Sequence, residues 1–328
     1  MPLLVSIFFG FVPMFIFAGF INWLDRYEKE PKVLLGAAFM WGVLIAGGGA
    51  YIINTVLGLG VYIVTGSEGA TDFATASIIA PIVEESLKGL AVLVVFFLFR
   101  REFDSILDGI IYAGITALGF AAIENVLYIY NYGYQEGGWS GLWQLVFIRV
   151  FLVGWQHPFY TAFTGIGLAI ARMNRNFFVK IIAVLGGFAT AVFAHAFHNT
   201  FGGLIGGIEG LAVGTFVDWV GWFFMLLFII WMVVNERNIL KRRLVEEVQN
   251  GLISPAQYRT ALSFAQTGAR LNALTSGSYF ATARFYQVCG ELAHKKEQYA
   301  RLGEERGNLG IIEKLRGELM QLGPLAKA

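Results

Sequence analysis

Cysteine is all but missing from this sequence. Cys289 is the only one in 328 residues, which excludes a disulfide framework and any cysteine-rich metal site. Histidine is scarce as well, and four residues are too few for the multi-histidine boxes of a membrane di-iron hydroxylase. Charge is thin. Asp, Glu, Lys and Arg make up 14% of the chain against a hydrophobic share of 56%, and mean hydropathy is +0.62. Soluble domains carry about a quarter charged residues, so an integral membrane protein is expected, with the lipid bilayer as its first partner. The net charge of +1 gives no sign of a nucleic-acid partner, and none is expected. Glycine is what the chain has in excess. Its 40 residues exceed the usual ~7%, as close helix approach in lipid requires.

Apolar runs fall at about 3–23, 33–64, 73–99, 106–130, 142–171, 177–205 and 211–234. The first lacks a basic leader and a small-residue cleavage site, so it reads as a retained helix rather than a signal peptide. The expected fold is all-α, a polytopic transmembrane helical bundle of about seven spans. Basic residues alternate between the connections. Arg26, Lys29 and Lys32 follow the first run, Arg100 and Arg101 the third, Arg172, Arg175 and Lys180 the fifth, and Arg237, Lys241, Arg242 and Arg243 the seventh. The other connections hold no Lys or Arg. By the positive-inside rule the N-terminus lies outside and the C-terminus in the cytoplasm. Two runs exceed a simple crossing. The second contains Gly47-Gly-Gly49, a point for a tilt or kink, and the fifth contains Gln156-His157-Pro158, where proline disfavours helical geometry at His157. Residues 1–235 form the membrane domain. Residues 236–328 turn charged and read as a small helical cytoplasmic tail, with Ser254-Pro255 as a cap and first helical residue; nothing in the tail looks catalytic, and it offers a surface for a cytoplasmic partner.

The third run carries Ala80-Pro-Ile-Val-Glu-Glu-Ser-Leu-Lys88. An ionisable group at helix centre costs about 2.5–3.5 kcal/mol on insertion scales, so three in one span point to a use. Glu84 and Lys88 stand four apart and Glu85 and Lys88 three apart, so one face can carry a carboxylate–ammonium pair. The other glutamate then faces elsewhere. Further polar residues lie in later runs: Asp108, Glu124, Asn125, His157, His195, His198 and Asn199. At about 1.5 Å per residue, Glu84, Glu124, His157 and His195 reach middle to outer depth on four helices. His195 and Asn199 share a helix face. Asp108, beside Gly109, reads as a helix starter, His198 as structural, and Glu124 as either catalytic or scaffold.

Carboxylate beside histidine can take a proton from water and return it to a leaving amine. A second imidazole and an amide N–H can bind an oxyanion. That is a hydrolase set without a serine or cysteine nucleophile. Glu, His and His could instead hold zinc with water in the fourth position, and the residues alone leave both mechanisms open.

The motifs resemble the PrsW family of intramembrane proteases. Asp25-Arg-Tyr-Glu-Lys-Glu-Pro31 resembles that family's entry segment, and Pro81 to Lys88 its E-E-x-x-K motif. Asp108-Gly109 followed by Gly119-Phe-Ala-Ala-Ile-Glu-Asn125 is similar to its second motif. His157-Pro-Phe-Tyr-Thr161 with Gly165 resembles the third, and His195-Ala-Phe-His-Asn199 the fourth. The resemblance covers about residues 1–235 and extends to the wider group that includes the CAAX prenyl endopeptidases, which carry arginine one position beyond Lys88. It implies that Glu84 activates water with help from His157, that His195 and Asn199 stabilise the oxyanion, and that Glu85 and Glu124 belong to the catalytic set with Lys88 and Asn125 in support. It also implies cleavage of a membrane-anchored protein, such as an anti-sigma factor, near the outer side of a bacterial plasma membrane. Because Lys88 supplies positive charge, a glutamate-based hydrolysis without a cofactor is expected; were the site metallic, Glu84, His157 and His195 would be the zinc ligands. A proton-coupled transporter and a non-catalytic scaffold of the same fold are the rival readings.

Overall fold

The computed structural model describes residues 1–205, 207–304 and 307–328. Every apolar run is helical over most of its length, and no strand occurs among the described residues. The physical reason is that a bilayer offers no partner for backbone N–H and C=O groups, so a spanning segment must satisfy them internally. In chain order the membrane unit contains α1 (Pro2–Leu24), α2 (Lys32–Thr65), α3 (Ala80–Leu98), α4 (Ile106–Leu127), α5 (Glu136–Val146), α6 (Gln156–Arg172), α7 (Phe177–Ile205) and α8 (Gly207–Arg243), the last running on beyond the unit. Among the described residues, five helical stretches are long and apolar enough to cross a membrane: Pro2–Leu24, Lys32–Thr65, Ile106–Arg172, Phe177–Phe201 and Glu209–Gln249. The run that holds Glu84, Glu85 and Lys88 is helical too, as Glu68–Ala74, a π-helical turn at Thr75–Ile79, and α3.

Ile106–Arg172 spans 67 residues. Straight, it would measure about 100 Å against a hydrocarbon core of about 30 Å, so it folds back. Gly138 has φ 60°, a left-handed conformation that glycine adopts without penalty. After it α5 returns along the end of the preceding helix. A side chain on Gly141 would overlap the carbonyl oxygen of Gly133, while Leu142, Val146 and Val150 bury against Ile129.

Helical geometry then fails at Val153, with φ −123° and ψ 13°, and α6 begins at Gln156. The break expected at His157-Pro158 therefore lies just upstream, and His157 itself is helical. Pro158 sits in the first turn of α6, where a missing N–H removes no intrahelical bond. In α2, the irregular turns cover Gly42–Gly47, at the edge of the glycine triplet singled out in the sequence.

α4 is the central helix, buried along nearly its whole length. Its start is fixed by a capping box. Ser105 Oγ accepts from the Asp108 N–H at 3.1 Å, and Asp108 Oδ2 accepts from the Ser105 N–H at 2.6 Å, as expected of Asp108. Glycines let its neighbours touch its backbone. A Cβ on Gly109 would overlap the carbonyl oxygen of Gly165 in α6, and one on Gly165 that of Gly109; Gly42 and Gly119 stand in the same way against Thr116 and Phe39. Gly165→Leu is expected to lower the thermal midpoint of the detergent-purified protein and its abundance in membranes together, whereas Gly186→Leu, which meets open space, leaves both near wild type. An unchanged midpoint in Gly165→Leu would show that α4 and α6 are not held at this distance.

A second compact unit comprises residues 24–29, 173–175 and 229–328. Its core gathers Leu240, Leu244, Phe285, Tyr286, Leu292 and Leu319, and Cys289 is buried there. Ser254 caps Pro255–Ala261, with Gln257 completing the box. The buried carboxylate of Glu247 is paired with Lys296 at 2.6 Å and Arg316 at 2.9 Å. Glu297 is held below the usual carboxylate range: burial opposes this, but hydrogen bonds from Arg243 and Arg301 outweigh it.

Candidate active site

The two adjacent glutamates of α3 have opposite surroundings. Glu85 is fully buried and saturated. It receives Lys88 Nζ at 2.5 Å on Oε1 and the Thr161 hydroxyl at 2.8 Å on Oε2, and His195 Nδ1 lies 3.0 Å from Oε1. An imidazole nitrogen facing a carboxylate carries the proton, so His195 donates from Nδ1 and its Nε2 keeps the lone pair. That nitrogen stands 3.7 Å from Glu84 Oε2. Glu84 Oε1 accepts from the Asn54 amide at 3.4 Å, but Oε2 is buried and has no hydrogen-bond partner among the described residues. In that tautomer, and with Glu84 ionised, two lone-pair atoms face each other with no donor between them. Such a gap fits the protons of a water molecule or a cation.

His157 enters from α6. Its Nε2 lies 2.8 Å from Glu124 Oε2, so it donates there, and its Nδ1 is 3.3 Å from Lys88 Nζ. The ring packs edge-on to Phe120 at 4.9 Å and to His195 at 5.3 Å. Lys88 also lies over the Phe120 ring, 4.5 Å from its centre. A single buried ammonium is thus held by a carboxylate, an imidazole and an aromatic face, which offsets its desolvation.

Glu84, Glu85, Lys88, His157 and His195 are brought together by α3, α6 and α7, with Glu124 joined to His157 from α4. Asn125 stands beside Glu124 and accepts from Arg149 Nε at 2.8 Å. Asn199 is turned toward α3's approach, donating its amide to the Ala76 carbonyl at 2.9 Å; Ala76 belongs to the π-helical turn ahead of α3. His198 points into a different polar group. Its Nδ1 is 2.7 Å from Asp218 Oδ2, and Asp218 also receives Gln156 at 2.8 Å and the Tyr160 hydroxyl at 2.9 Å. Tyr160 in turn stacks on His195, with planes 20° apart.

Several of these partners escaped the sequence reading. Arg149 pairs with Glu124 and covers the Tyr128 ring at 4.0 Å, and Asp218 and Asn54 likewise lie inside apolar runs. Each carried the signal that singled out Glu84, a polar side chain within a span, but none adjoins one of the four motifs.

A metal would find a suitable donor set here. One ligand atom each from Glu84, His157 and His195 falls within 4.8 Å of the others, and all three residues are buried. Each imidazole has its far nitrogen on a carboxylate, Glu85 for His195 and Glu124 for His157, which is the outer-shell arrangement of histidine ligands. The unpartnered Glu84 Oε2 is consistent with such a site. The group fits once Lys88 turns wholly to Glu85, because the remaining lone pair of His157 faces the Lys88 ammonium at 3.3 Å.

The chain is similar to several curated proteins named Protease PrsW. That of Clostridioides difficile (strain 630) is 33% identical over 121 residues, 37% of this chain and 48% of the relative. That of Geobacillus kaustophilus (strain HTA426) is 31% identical over 127 residues, 38% and 52%. That of Bacillus subtilis (strain 168) is 24% identical over 167 residues, 51% and 69%. The aligned region spans about half the length of the first two. No solved structure matches. The family described as PrsW family intramembrane metalloprotease matches residues 30–234, more than half of the chain, including all four motifs and ending ahead of the charged tail. A match of that extent, over the helices that carry the buried cluster, identifies the chain as an integral membrane protein that belongs to the PrsW family.

Proposed function

We propose that this chain is an intramembrane endopeptidase that hydrolyses a peptide bond of a membrane-anchored protein near the outer face of a bacterial plasma membrane, an anti-sigma-factor-like substrate in regulated proteolysis. One observation carries the reading: Glu84 Oε2, buried and without a hydrogen-bond partner among the described residues, stands 3.7 Å from His195 Nε2. A water seated between them donates one proton to each. Glu84 takes the proton as the water oxygen attacks the scissile carbonyl and delivers it to the leaving amine. Glu85, fixed by Lys88 and Thr161, holds His195 in the tautomer that keeps Nε2 free. Asn199 gives one amide hydrogen to Ala76 and retains a second, available to an oxyanion. The outer side follows from the expected orientation, which places the middle and outer levels of α3, α6 and α7 at the cluster.

A second reading rests on the donor set and on the family's description. If a divalent metal such as zinc is bound by Glu84, His157 and His195, it supplies Lewis-acid polarisation of the carbonyl and a more acidic water. The residues around the imidazoles would then keep their orienting roles.

The test is a comparison of membrane proteins in cells with and without this chain. One or more single-span proteins are expected to accumulate uncut in its absence, and the wild-type chain restores a fragment released to the outside. No change in any membrane protein would overturn the protease reading; a fragment released to the cytoplasm would overturn the side.

A further inference from the structure

The second compact unit carries a helix with its faces reversed. Ala265–Thr275 buries Gln266, Ala269 and Ala273 and turns its large apolar residues outward. Leu271 and Leu274 are each 57% exposed, and Phe264 just ahead of the helix is 66% exposed. Phe264, Leu271 and Leu274 follow helical spacing, with the exposed Thr267 between them, so they form one stripe. Phe280, five residues after the helix ends and in the first turn of the next helix, Tyr279–Leu302, is 84% exposed. Burying alanine and exposing leucine is opposite to what a solvated helix does, and an exposed apolar patch of this kind marks an interaction surface.

Charge and anchoring say what covers it. From residue 248 to residue 290 the sequence has no Asp, Glu or Lys, and its charged residues are Arg259, Arg270 and Arg284. Arg259 is exposed. The start of the stripe is tied to residues that flank membrane spans. The Arg26 guanidinium lies 3.8 Å from the centre of the Phe264 ring, and Arg26 comes two residues after α1 ends at Leu24. Arg237 donates to the Leu262 carbonyl at 2.9 Å, and Arg237 closely follows the last apolar run of the sequence. Arginines at such positions mark the headgroup level of a bilayer. Apolar side chains with basic and no acidic companions are the composition of a segment lying in an anionic interface.

We propose that the Phe264–Phe280 stripe is a lipid-docking face, inserted among the anionic headgroups of the leaflet from which α8 emerges. Phe264, Leu271, Leu274 and Phe280 enter the acyl boundary, and Arg259 meets lipid phosphates. The inference does not depend on the proteolytic reading.

The full chain in lipid nanodiscs provides the test. Cys289 is the only native cysteine and is buried, so it stays unlabelled in the folded protein. Leu271→Cys, Leu274→Cys and Phe280→Cys are labelled one at a time with an environment-sensitive fluorophore, with Met320→Cys, 63% exposed and outside the stripe, as control. Nanodiscs contain phosphatidylcholine alone or with phosphatidylglycerol, plus a trace of headgroup-nitroxide lipid. The expected result is blue-shifted emission and quenching at the three stripe positions, severalfold stronger with phosphatidylglycerol, and little quenching at Met320→Cys. A Leu271→Glu change should return the Leu274→Cys label to water. Labels that stay water-exposed in both lipids would overturn the proposal. Equal quenching in both lipids would overturn the anionic requirement. Cross-linking of stripe cysteines between chains, without lipid quenching, would assign the face to a second copy instead.

Discussion

Glu84→Gln is expected to remove cleavage by about 100- to 10,000-fold, the range for loss of a positioned general base, while membrane abundance and thermal midpoint stay near wild type. Glutamine has the same shape and can still meet the Asn54 amide, which lies 3.4 Å from Glu84 Oε1. Nothing else among the described residues depends on Oε2. Glu85→Gln should behave differently although it is the next residue. It strips the ammonium of Lys88 of its ion partner where both side chains are fully buried. Removing one member of a buried pair destabilises by about 3–5 kcal/mol, so this variant should be scarce in membranes and melt early. The readouts are accumulation of the uncut substrate found by comparing membranes, immunoblot abundance, and a thermal melt in mild detergent. Full cleavage by Glu84→Gln would exclude it as the base. Equal melting of the two variants would show that the cluster is not divided as described.

The division between the glutamates was half legible in the sequence. Spacing showed that Lys88 could pair with either Glu84 or Glu85, and that one carboxylate would be left over. It could not choose, because positions three and four apart are both neighbours on a helix. The choice is made by Thr161 and His195, which reach Glu85 from helices distant in the chain. The helices themselves were legible for a simple reason: long apolar runs have no alternative to internal hydrogen bonding in lipid. Irregular segments were harder. Pro158 pointed to a break, but the break falls at Val153 because proline is tolerated within a first helical turn. The reversal at Gly138 was legible, because it falls in the connection between the apolar runs 106–130 and 142–171. Arg149 and Asp218 were missed because they lie alone in apolar runs, and their meaning comes from partners on other helices, Glu124 for the one and His198, Gln156 and Tyr160 for the other.

Cleavage is expected to survive removal of metal. The reason lies at His157. Its Nε2 is engaged with Glu124 and its Nδ1 faces Lys88 Nζ at 3.3 Å, so both nitrogens have partners. A cation bound there must displace an ammonium that already supplies positive charge to the cluster. Zinc held by three protein ligands needs all of them at once, and Glu84 with His195 provides only two free lone pairs. The competing outcome is well defined, since moving Lys88 wholly onto Glu85 would release His157 and complete the set. The purified chain should therefore be dialysed against a chelator, assayed, and assayed again after zinc is restored. Its metal content is measured alongside, and cobalt is added in place of zinc to look for ligand-field absorption independent of activity. Retained cleavage, no stoichiometric metal and no cobalt spectrum are expected. Cleavage that disappears on stripping and returns with about one ion per chain, with a cobalt spectrum lost in His195→Ala, would sink the metal-free mechanism and reassign Glu84, His157 and His195 as ligands.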